Sequence, residues 1–497
     1  MFRKNTIKKS VIVLVALLMC ATLLLTACNK STVFKPVTAP AASQAEGNGG
    51  IAVRYGEYIY YVNGYQSSTA AKNGYTNEIR IGAIVRIKIA DLERISGLNT
   101  LDDVAASEIA AEISGRRGVE DKKDVDAKAE MVIPNFYYNG NTTDTSLNGI
   151  YIFNDRIYIT TPNNDLDANG NLLNSELVLT SYNLGGGDVQ RHFVFKTNAP
   201  QLKLSQIGND VWATYILDGT LFRFKVTSET VKEATEIQKE ISSPNFTSEV
   251  DEDGNVVADY VYYLDKDGSI CQYKVGDESA NVLVKLETEK GHEGHSHSTS
   301  YTISSVNGSR VYYTTSEDTS LHVATAENPD TVVLYYVPSS YFGWGDGIVY
   351  THPETIDGST TLYHIIYVSS KDGSAQQLLV DPTQNGTSIT LNKVVGNTLY
   401  YTKESVSYKM DLTNPSADPV SYAYSLSTAA TGWSVPDVLS FEWKNGEDTV
   451  QITYVFTVSA TGVSLVKFNP TRNNNYIEGT KSTSSNTNIT LTAPIEK

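Results

Sequence analysis

The chain has 497 residues and a formal net charge of −17, with 39 Lys and Arg against 56 Asp and Glu. This acidic balance argues against nucleic acid as a partner, because phosphates require a basic surface. It also argues against electrostatic docking on anionic lipid or wall polymer.

Residues 1–27 are predicted to be a signal peptide. A basic start precedes the apolar run Val11–Leu25, which is too short to span a membrane. The run ends in Leu25-Thr26-Ala27-Cys28, which resembles the bacterial lipobox. That resemblance implies cleavage before Cys28 and lipid on its sulfur and amine. The alternative is an ordinary secretion signal followed by a coincidental Cys.

Residues 28–50 are rich in Ser, Ala, Pro and Gly, so we predict that they form a flexible tether between the lipidated Cys28 and the domain. Cys20 leaves with the signal peptide and Cys28 takes lipid, so Cys271 has no partner for a disulfide. We expect Cys271 to be a small buried hydrophobic residue.

A strand–turn–strand unit recurs along almost the whole chain. Each copy has a turn and then a strand rich in Tyr, Val, Ile and Thr, as in Gly396–Lys403 (GNTLYYTK). These side chains suit a pleated, half-buried surface, and Gly, Asn and Asp at the turns tolerate positive φ. The copies begin at Gly56, Asn154, Gly208, Ala258, Gly308, Gly345, Gly396 and Gly446.

The spacing of the copies predicts the fold. From Asn154 onward the steps are 54, 50, 50, 37, 51 and 50 residues, and the first step is 98. A period of about 50 residues with several short strands is typical of a β-propeller blade. A row of β-sandwich domains, the alternative, needs units of about 100 residues. We therefore predict an all-β fold over residues 51–470, a β-propeller of seven or eight four-stranded blades, eight by our count.

The repeats resemble the TolB-like and YWTD-like propeller repeats of bacterial surface lipoproteins. The resemblance covers about residues 51–470, and it concerns architecture rather than ligand. It rests on paired tyrosines and on the strand after each pair, such as Tyr408-Lys409-Met410-Asp411-Leu412. The pairs are Tyr60-Tyr61, Tyr262-Tyr263, Tyr312-Tyr313 and Tyr400-Tyr401.

Two segments depart from the repeat. An insertion over about residues 93–148 contains Asp103–Ile113 (DVAASEIAAEI), whose composition predicts a small inserted helical element. A degenerate extra blade is the alternative there. Residues 471–497 are rich in Asn, Thr and Ser and are predicted to be a disordered polar tail.

The segment Asp165–Glu176 (DLDANGNLLNSE) matches the calcium-loop pattern D-x-[DN]-x-[DN]-G-x5-E. Calcium prefers converging hard oxygen ligands, and Gly170 would make the sharp turn. Its flanks look like strands, so the alternative is a solvated hairpin. Calcium is the candidate cofactor at this segment. The candidate ligands are Asp165, Asp167, Asn169, Asn171 and Glu176.

The segment Gly291–Ser300 (GHEGHSHSTS) contains His292, His295 and His297. Imidazole nitrogens at this spacing can bind Zn²⁺ or a similar metal, and the alternative is a mobile polar loop. We predict that this tract, Gly64–Asn77 and Asp165–Glu176 lie on one face of the propeller, because they are B–C hairpins or D–A connections.

The chain has 32 Tyr, 13 Phe and 4 Trp. The alternating tyrosines predict packing between blades, with each hydroxyl reaching a polar partner. Trp344 and Trp433 are the candidates for ligand contact.

From these features we predict a lipid-anchored protein on the extracytoplasmic face of the cell membrane. We expect a monomer that acts as a non-catalytic recognition or scaffold module for a protein, peptide or glycan. The alternative is a glycan lyase or hydrolase with its site at the propeller mouth, and a further alternative is an accessory subunit of a transporter or wall-synthesis machine.

Overall fold

A computed structural model describes most of the chain between residues 36 and 491. The described residues are 36–50, 52–62, 75–76, 79–80, 84–89, 130–133, 149–163, 165–170, 173, 176–197, 200–251, 255–286, 299–356, 360–369, 376–381, 389–422, 438–445, 448–459, 462–468 and 487–491. They contain no helix long and apolar enough to cross a membrane.

The described residues form eight consecutive antiparallel sheets and one small hairpin. Seven sheets have four strands and sheet 1 has five, in the order β1-β2-β3-β6-β7. Strands within each sheet follow chain order, and we name the four blade strands A to D. In sheet 1 they are β2, β3, β6 and β7.

The strands of the first four sheets, with the hairpin β4–β5, have the following bounds. They are β1 (Ala45–Glu46), β2 (Ala52–Tyr55), β3 (Tyr58–Val62), β4 (Tyr75–Thr76), β5 (Ile79–Arg80), β6 (Ile84–Lys88), β7 (Glu130–Ile133); β8 (Tyr151–Phe153), β9 (Arg156–Pro162), β10 (Leu177–Asn183), β11 (Gln190–Phe195); β12 (Gln201–Ile207), β13 (Asp210–Leu217), β14 (Thr220–Val226), β15 (Thr235–Gln238); β16 (Ser242–Val250), β17 (Val256–Leu264), β18 (Ile270–Lys274) and β19 (Asn281–Val284).

The remaining four sheets repeat the same order. Their strands are β20 (Tyr301–Asn307), β21 (Arg310–Thr315), β22 (Leu321–Ala324), β23 (Thr331–Leu334); β24 (Tyr341–Trp344), β25 (Gly347–Ile356), β26 (Thr360–Ser369), β27 (Gln376–Val380); β28 (Ile389–Val395), β29 (Thr398–Lys403), β30 (Val406–Asp411), β31 (Val420–Tyr422); β32 (Val438–Asn445), β33 (Asp448–Ser459), β34 (Gly462–Phe468) and β35 (Thr487–Leu491).

Apolar clusters fill the space between successive sheets from sheet 1 to sheet 7. Between sheets 1 and 2, for example, Tyr60 and Ile84 pack with Ile157 and Tyr182, and all four are buried. Equivalent clusters join sheets 2 and 3, 3 and 4, 4 and 5, 5 and 6, and 6 and 7. One sheet has two apolar faces, and stacking covers both of them. The predicted β-propeller fold is therefore confirmed, and the repeats counted in the sequence correspond to the eight sheets.

The first tyrosine of three of the pairs joins neighbouring sheets, as the alternation predicted. The Tyr60 hydroxyl donates to the Leu184 carbonyl of the next sheet at 3.0 Å. Tyr262 donates in the same way to Gly308 at 3.0 Å, and Tyr312 to Gly347 at 2.8 Å. The prediction that every hydroxyl reaches a polar partner is wrong for Tyr263, whose buried hydroxyl has no hydrogen-bond partner among the described residues. Cys271 is buried between sheets 3 and 4, as expected, and burial followed by the nearby Asp265 raises the pKa of its thiol to about 12.

Two segments contribute strands where the sequence predicted something else. Within the insertion, Glu130–Ile133 pairs with β6 as the outer strand of sheet 1, and the predicted helix over Asp103–Ile113 lies outside the described residues. Within the predicted disordered tail, Thr487–Leu491 pairs with β34 as the outer strand of sheet 8. Without these two segments, the third strand of each sheet would have an open edge with unpaired backbone groups. A segment can pair with such an edge through its backbone whatever its side chains are.

Residues 36–50, assigned to the tether by composition, are held against the sheets. The Val37 amide donates to the Gly185 carbonyl at 2.9 Å. The buried Arg86 donates to the Thr38 carbonyl at 2.7 Å and to Glu130 at 2.8 Å. Ala45–Glu46 then pairs with β2 as the extra strand of sheet 1.

Candidate functional site

A central cavity of about 2010 Å³ opens where the A strands end at the A–B turns. Its wall includes residues of sheets 1 to 7, together with Ser43–Gly49. In an antiparallel sheet of four strands the A–B and C–D turns lie at the same end, and we call that side of the propeller the A–B face. The cavity is thus a product of the ring of sheets, since each sheet supplies only a few residues.

Hydrogen bonds between sheets fix the rim of the cavity. The Asn154 side chain donates to the Asn209 carbonyl at 2.9 Å, and Gln206 donates back to Asn154 at 2.9 Å. On the far side, Trp344 Nε1 donates to Asn397 Oδ1 at 3.1 Å. These polar groups are already engaged in holding neighbouring A–B turns together, so the rim is preorganised.

The turns themselves depend on glycine at Gly208 and Gly396, with φ of 61° and 55°. Side chains rarely adopt this left-handed conformation, and Gly adopts it at little cost. These are the turn glycines of the sequence repeat, and they set where each A strand ends at the rim.

One charged group of three residues lies in the wall between sheets 3 and 4. Lys203 Nζ lies 2.5 Å from Asp259 Oδ1 and donates to Ser248 Oγ at 2.7 Å. Ser248 in turn donates to Asp259 Oδ1 at 2.5 Å. The side chains of Lys203 and Asp259 are 17 % and 6 % exposed, so this ion pair is mostly removed from bulk water.

Burial determines what these three residues can do. A buried ion pair contributes little net stability, but loss of one partner leaves an uncompensated charge that costs about 3–5 kcal/mol. The Lys203 ammonium donates to both neighbours, so it does not offer Ser248 the lone pair that a general base requires. The group can instead present paired donors and acceptors to a polar ligand in the cavity.

The adjoining wall is aromatic and polar. Tyr151 is buried beside Leu204 and Asp259. The pKa of its hydroxyl is raised, mainly by burial and further by the negative charge of Asp259. Phe246 and Phe342 also line the cavity. Of the charged residues in the lining, Glu46 pairs with Arg54 at 2.9 Å and Asp251 accepts from Asn255 at 3.1 Å.

The N-terminal segment forms part of the site. The Gln44 side chain donates to Asn255 Oδ1 at 2.7 Å across the mouth. Asn48 pairs with the backbone of Ile152, accepting at 2.7 Å and donating at 3.1 Å. The segment therefore enters the cavity from the A–B face and narrows it.

The predicted calcium loop lies at the opposite end of sheet 2, between strands β9 and β10. Asp165 makes a bidentate ion pair with Arg191, at 2.8 and 3.0 Å, and this hydrogen bond lowers the pKa of the carboxyl. Glu176 accepts from Asn163 at 2.9 Å and pairs with Lys196 at 3.3 Å. Asp167 Oδ1 accepts from the backbone of Asn169, whereas Asn171 lies outside the described residues.

In the part of the chain that the structure describes, no three His, Cys, Asp or Glu side chains form a group that could hold a metal. The calcium site therefore stays a prediction. His292, His295 and His297, Trp433 and the lipidation residue Cys28 lie outside the described residues. So do most of Gly64–Asn77 and the His tract, and the prediction that the three loops share a face remains open.

The structure places Trp344 in the cavity wall, where its ring packs edge-on against Tyr367 at 5.2 Å. Sequence reasoning missed Lys203, Ser248 and Asp259. Neither charged residue stands out in the sequence, because Lys203 occupies the polar position between Leu202 and Leu204 in QLKLSQI and Asp259 directly precedes the apolar run YVYYL. Their meeting across two sheets is not visible in the sequence.

No family model and no curated protein matches this chain. Among solved structures it is similar to a post-proline cleaving enzyme from Rickettsia typhi, with 8% identity and a TM-score of 0.34, covering 86% of this chain and 58% of that one. The chain thus spans less than two thirds of that enzyme. It is also similar to the Pan2 WD40 domain of Neurospora crassa, with 12% identity and a TM-score of 0.27, covering 69% and 90%.

A third similar structure is an ulvan lyase bound to a saccharide, with 8% identity and a TM-score of 0.31, covering 77% and 99% of the two chains. These three similarities are too weak to bear on function. The fold assignment rests on the arrangement of the sheets, and the TolB-like assignment stays a prediction.

Proposed function

We propose that this protein is a non-catalytic binding module that takes a polar protein, peptide or glycan segment into the central cavity. The observation that carries the proposal is the cavity itself, about 2010 Å³ in volume and walled by residues of seven successive sheets. Concave sites with a few placed polar groups among apolar side chains are where ligands bind.

The wall disfavours an anionic ligand. Among the described lining residues there are one cation, Lys203, and four acids, Glu46, Asp155, Asp251 and Asp259. Lys203 pairs with Asp259 and Glu46 with Arg54, whereas Asp155 and Asp251 accept hydrogen bonds from the neutral Tyr55 and Asn255. The lining therefore carries excess negative charge, which suits a neutral or cationic ligand. Hydroxyl and amide groups of a ligand can pair with Ser248 and Asp259, while Trp344 and Phe342 supply flat apolar surface.

We propose a non-catalytic function because of the arrangement of Lys203, Ser248 and Asp259. Ser248 beside Lys203 has the composition of a nucleophile and a base, but the ammonium donates to Ser248 and Asp259. A glycan lyase or hydrolase remains the competing function, and turnover of a bound glycan would establish it.

We further propose that Cys28 carries lipid and that the propeller acts as a monomer on the extracytoplasmic face of the membrane. The support is the lipobox-like Leu25-Thr26-Ala27-Cys28 after a basic and apolar start. Calcium at Asp165–Glu176 is a separate proposal, since it would have to displace Arg191 from Asp165.

Two valines of sheet 4 give a matched test of the cavity. Val256 lines the cavity and is 56% exposed, whereas Val282 lies on the outer strand and is 55% exposed. A chain that starts at Asn29 would be screened by thermal shift against peptides and neutral and anionic glycans, since a ligand stabilises the native state. We expect Val256→Trp to weaken the best ligand about tenfold, or about 1.4 kcal/mol, and Val282→Trp to leave binding unchanged.

The unfolding temperatures of both variants serve as the control, because each valine is half exposed and neither should be needed for folding. Equal binding by the two variants would locate the ligand outside the cavity. A panel with no binder would favour the scaffold function instead.

A further inference from the structure

The N-terminal segment leaves the propeller on one defined face. We follow the segment backward along the chain from the cavity. Ser43 is exposed, and its backbone amide donates to the Tyr55 hydroxyl at 2.9 Å. The chain then crosses the A–B face outward to Arg86 and to the C–D turn of sheet 2, where Val37 meets Gly185. Pro36 packs beside Gly187 in the same turn.

This contact is close, so the exit point is fixed. A side chain at Gly185 would approach the Val37 carbonyl to 2.0 Å, and only glycine leaves room for the segment. The C–D turn is also tied to the A–B turn of its own sheet, because Arg156 pairs with Asp188 at 2.5 Å. The described part of the chain therefore begins on the A–B face.

The chain between this exit point and Cys28 is short. Seven residues lie between Cys28 and Pro36, and the eight residue steps from one to the other span at most about 29 Å when fully extended. A seven-residue strand such as β12 is itself about 23 Å long, and the loops add to that height. A tether of this length cannot pass around the rim and also hold the opposite face flat on a bilayer.

Exposed aliphatic side chains lie on the same face. Val189 in the C–D turn of sheet 2 and Ile207 beside the A–B turn of sheet 3 are 56% and 43% exposed. Val250 and Val256 flank the A–B turn of sheet 4 and are 47% and 56% exposed. Asp251 and Asp277 lie among them, so the face suits uncharged headgroups rather than anionic lipid.

We propose that the A–B face lies toward the lipid bilayer, so that the central cavity opens on the membrane side and the Asp165–Glu176 loop points away from it. This inference rests on the proposed lipidation of Cys28. It implies that the cavity binds its ligand close to the membrane. A segment of another protein or of a glycan that lies near the membrane surface would be such a ligand.

The test is a pair of single-cysteine labels on opposite ends of neighbouring sheets. Asn209→Cys lies in the A–B turn of sheet 3 and Lys266→Cys in the B–C turn of sheet 4, and both positions are exposed. Cys271 is buried, so the dye attaches to the introduced residue. The lipidated full chain would be reconstituted in phosphatidylcholine vesicles whose headgroups carry an acceptor dye.

We expect energy transfer to the bilayer to be clearly stronger from position 209 than from position 266. Equal or reversed transfer in a lipidated chain would overturn the orientation and leave the binding function standing. Mass analysis of the N-terminal peptide distinguishes the other failure, since an unmodified Cys28 removes the anchor and the orientation together. The same labels on a chain starting at Asn29 give the background transfer.

Discussion

At the scale of single residues, His322 in sheet 5 is the clearest titrating group. Its Nδ1 lies 2.8 Å from Asp330 and its Nε2 3.2 Å from Asp318, so both ring nitrogens face a carboxylate. Tyr313 also donates to Asp330, at 2.9 Å. Burial alone lowers the pKa of His322, but the two carboxylates outweigh it and the net pKa is raised above 6.5.

A raised pKa means that the folded state holds the proton more tightly than the unfolded state. The resulting stabilisation is complete below about pH 6.5 and is lost as the pH rises through the folded-state pKa. We expect the difference in unfolding free energy between the protein and His322→Gln to be largest below about pH 6.5 and to shrink as the pH rises through the raised pKa of His322. Urea unfolding of both proteins at several pH values measures it.

The comparison with a variant is essential because His192 acts in the opposite sense. Burial first, and then the Arg156 charge, lower the pKa of His192, so its contribution to stability falls as the pH drops below its ordinary range. The pH profile of the unmodified protein therefore mixes the two residues. A difference between the protein and His322→Gln that does not change with pH would contradict the role assigned to His322.

At the scale of strands, the tyrosine-rich B strand was readable from the sequence because its alternation and its turn are local. The strand predicted to follow the turn at Gly208 is β13, Asp210–Leu217, in the structure. The sequence predicted only that the tyrosine hydroxyls reach polar groups, and it did not identify which ones. The acceptors are the carbonyls of Leu184, Gly308 and Gly347, which lie 35 to 124 residues away from their tyrosines in the chain.

The hydroxyl of Tyr312 tests this packing. Tyr312→Phe keeps the ring but leaves the buried Gly347 carbonyl without that donor, and we expect a loss of about 1–2 kcal/mol in unfolding free energy. Tyr335→Phe is the control, because Tyr335 is 85% exposed and surface changes stay within about 0.5 kcal/mol. Equal stability of the two variants, measured by urea unfolding, would show that the bond between sheets is not formed in solution.

At the scale of the whole molecule, the N-terminal segment joins sheet 1 to the cavity. It makes backbone and side-chain hydrogen bonds with Tyr55, Arg86, Ile152 and Gly185. The turn Gly49–Gly50 pairs with Ile150 at 2.8 Å in both directions, and a side chain at Gly149 would come within 1.8 Å of the Gly49 carbonyl. The N-terminal segment contacts both sheet 1 and sheet 2. We therefore expect its removal to lower the unfolding free energy of the whole domain.

We expect a chain that starts at residue 51 to be less stable than one that starts at residue 36 by at least about 3 kcal/mol, at about 1 kcal/mol per lost hydrogen bond. Differential scanning calorimetry of the two chains measures the change. Identical unfolding temperatures would mean that residues 36–50 do not dock on the propeller in solution.

The sequence by itself determined the all-β class, the number of repeats, the burial of Cys271 and the tyrosine packing, because each depends on periodicity and composition within a short window. Only the tertiary structure decided the strands Glu130–Ile133 and Thr487–Leu491, the docking of residues 36–50, and the cavity with Lys203, Ser248 and Asp259. These features arise when segments far apart in the chain meet at an open strand edge or around a ring of sheets. Such meetings depend on geometry, and they leave no local pattern in the sequence.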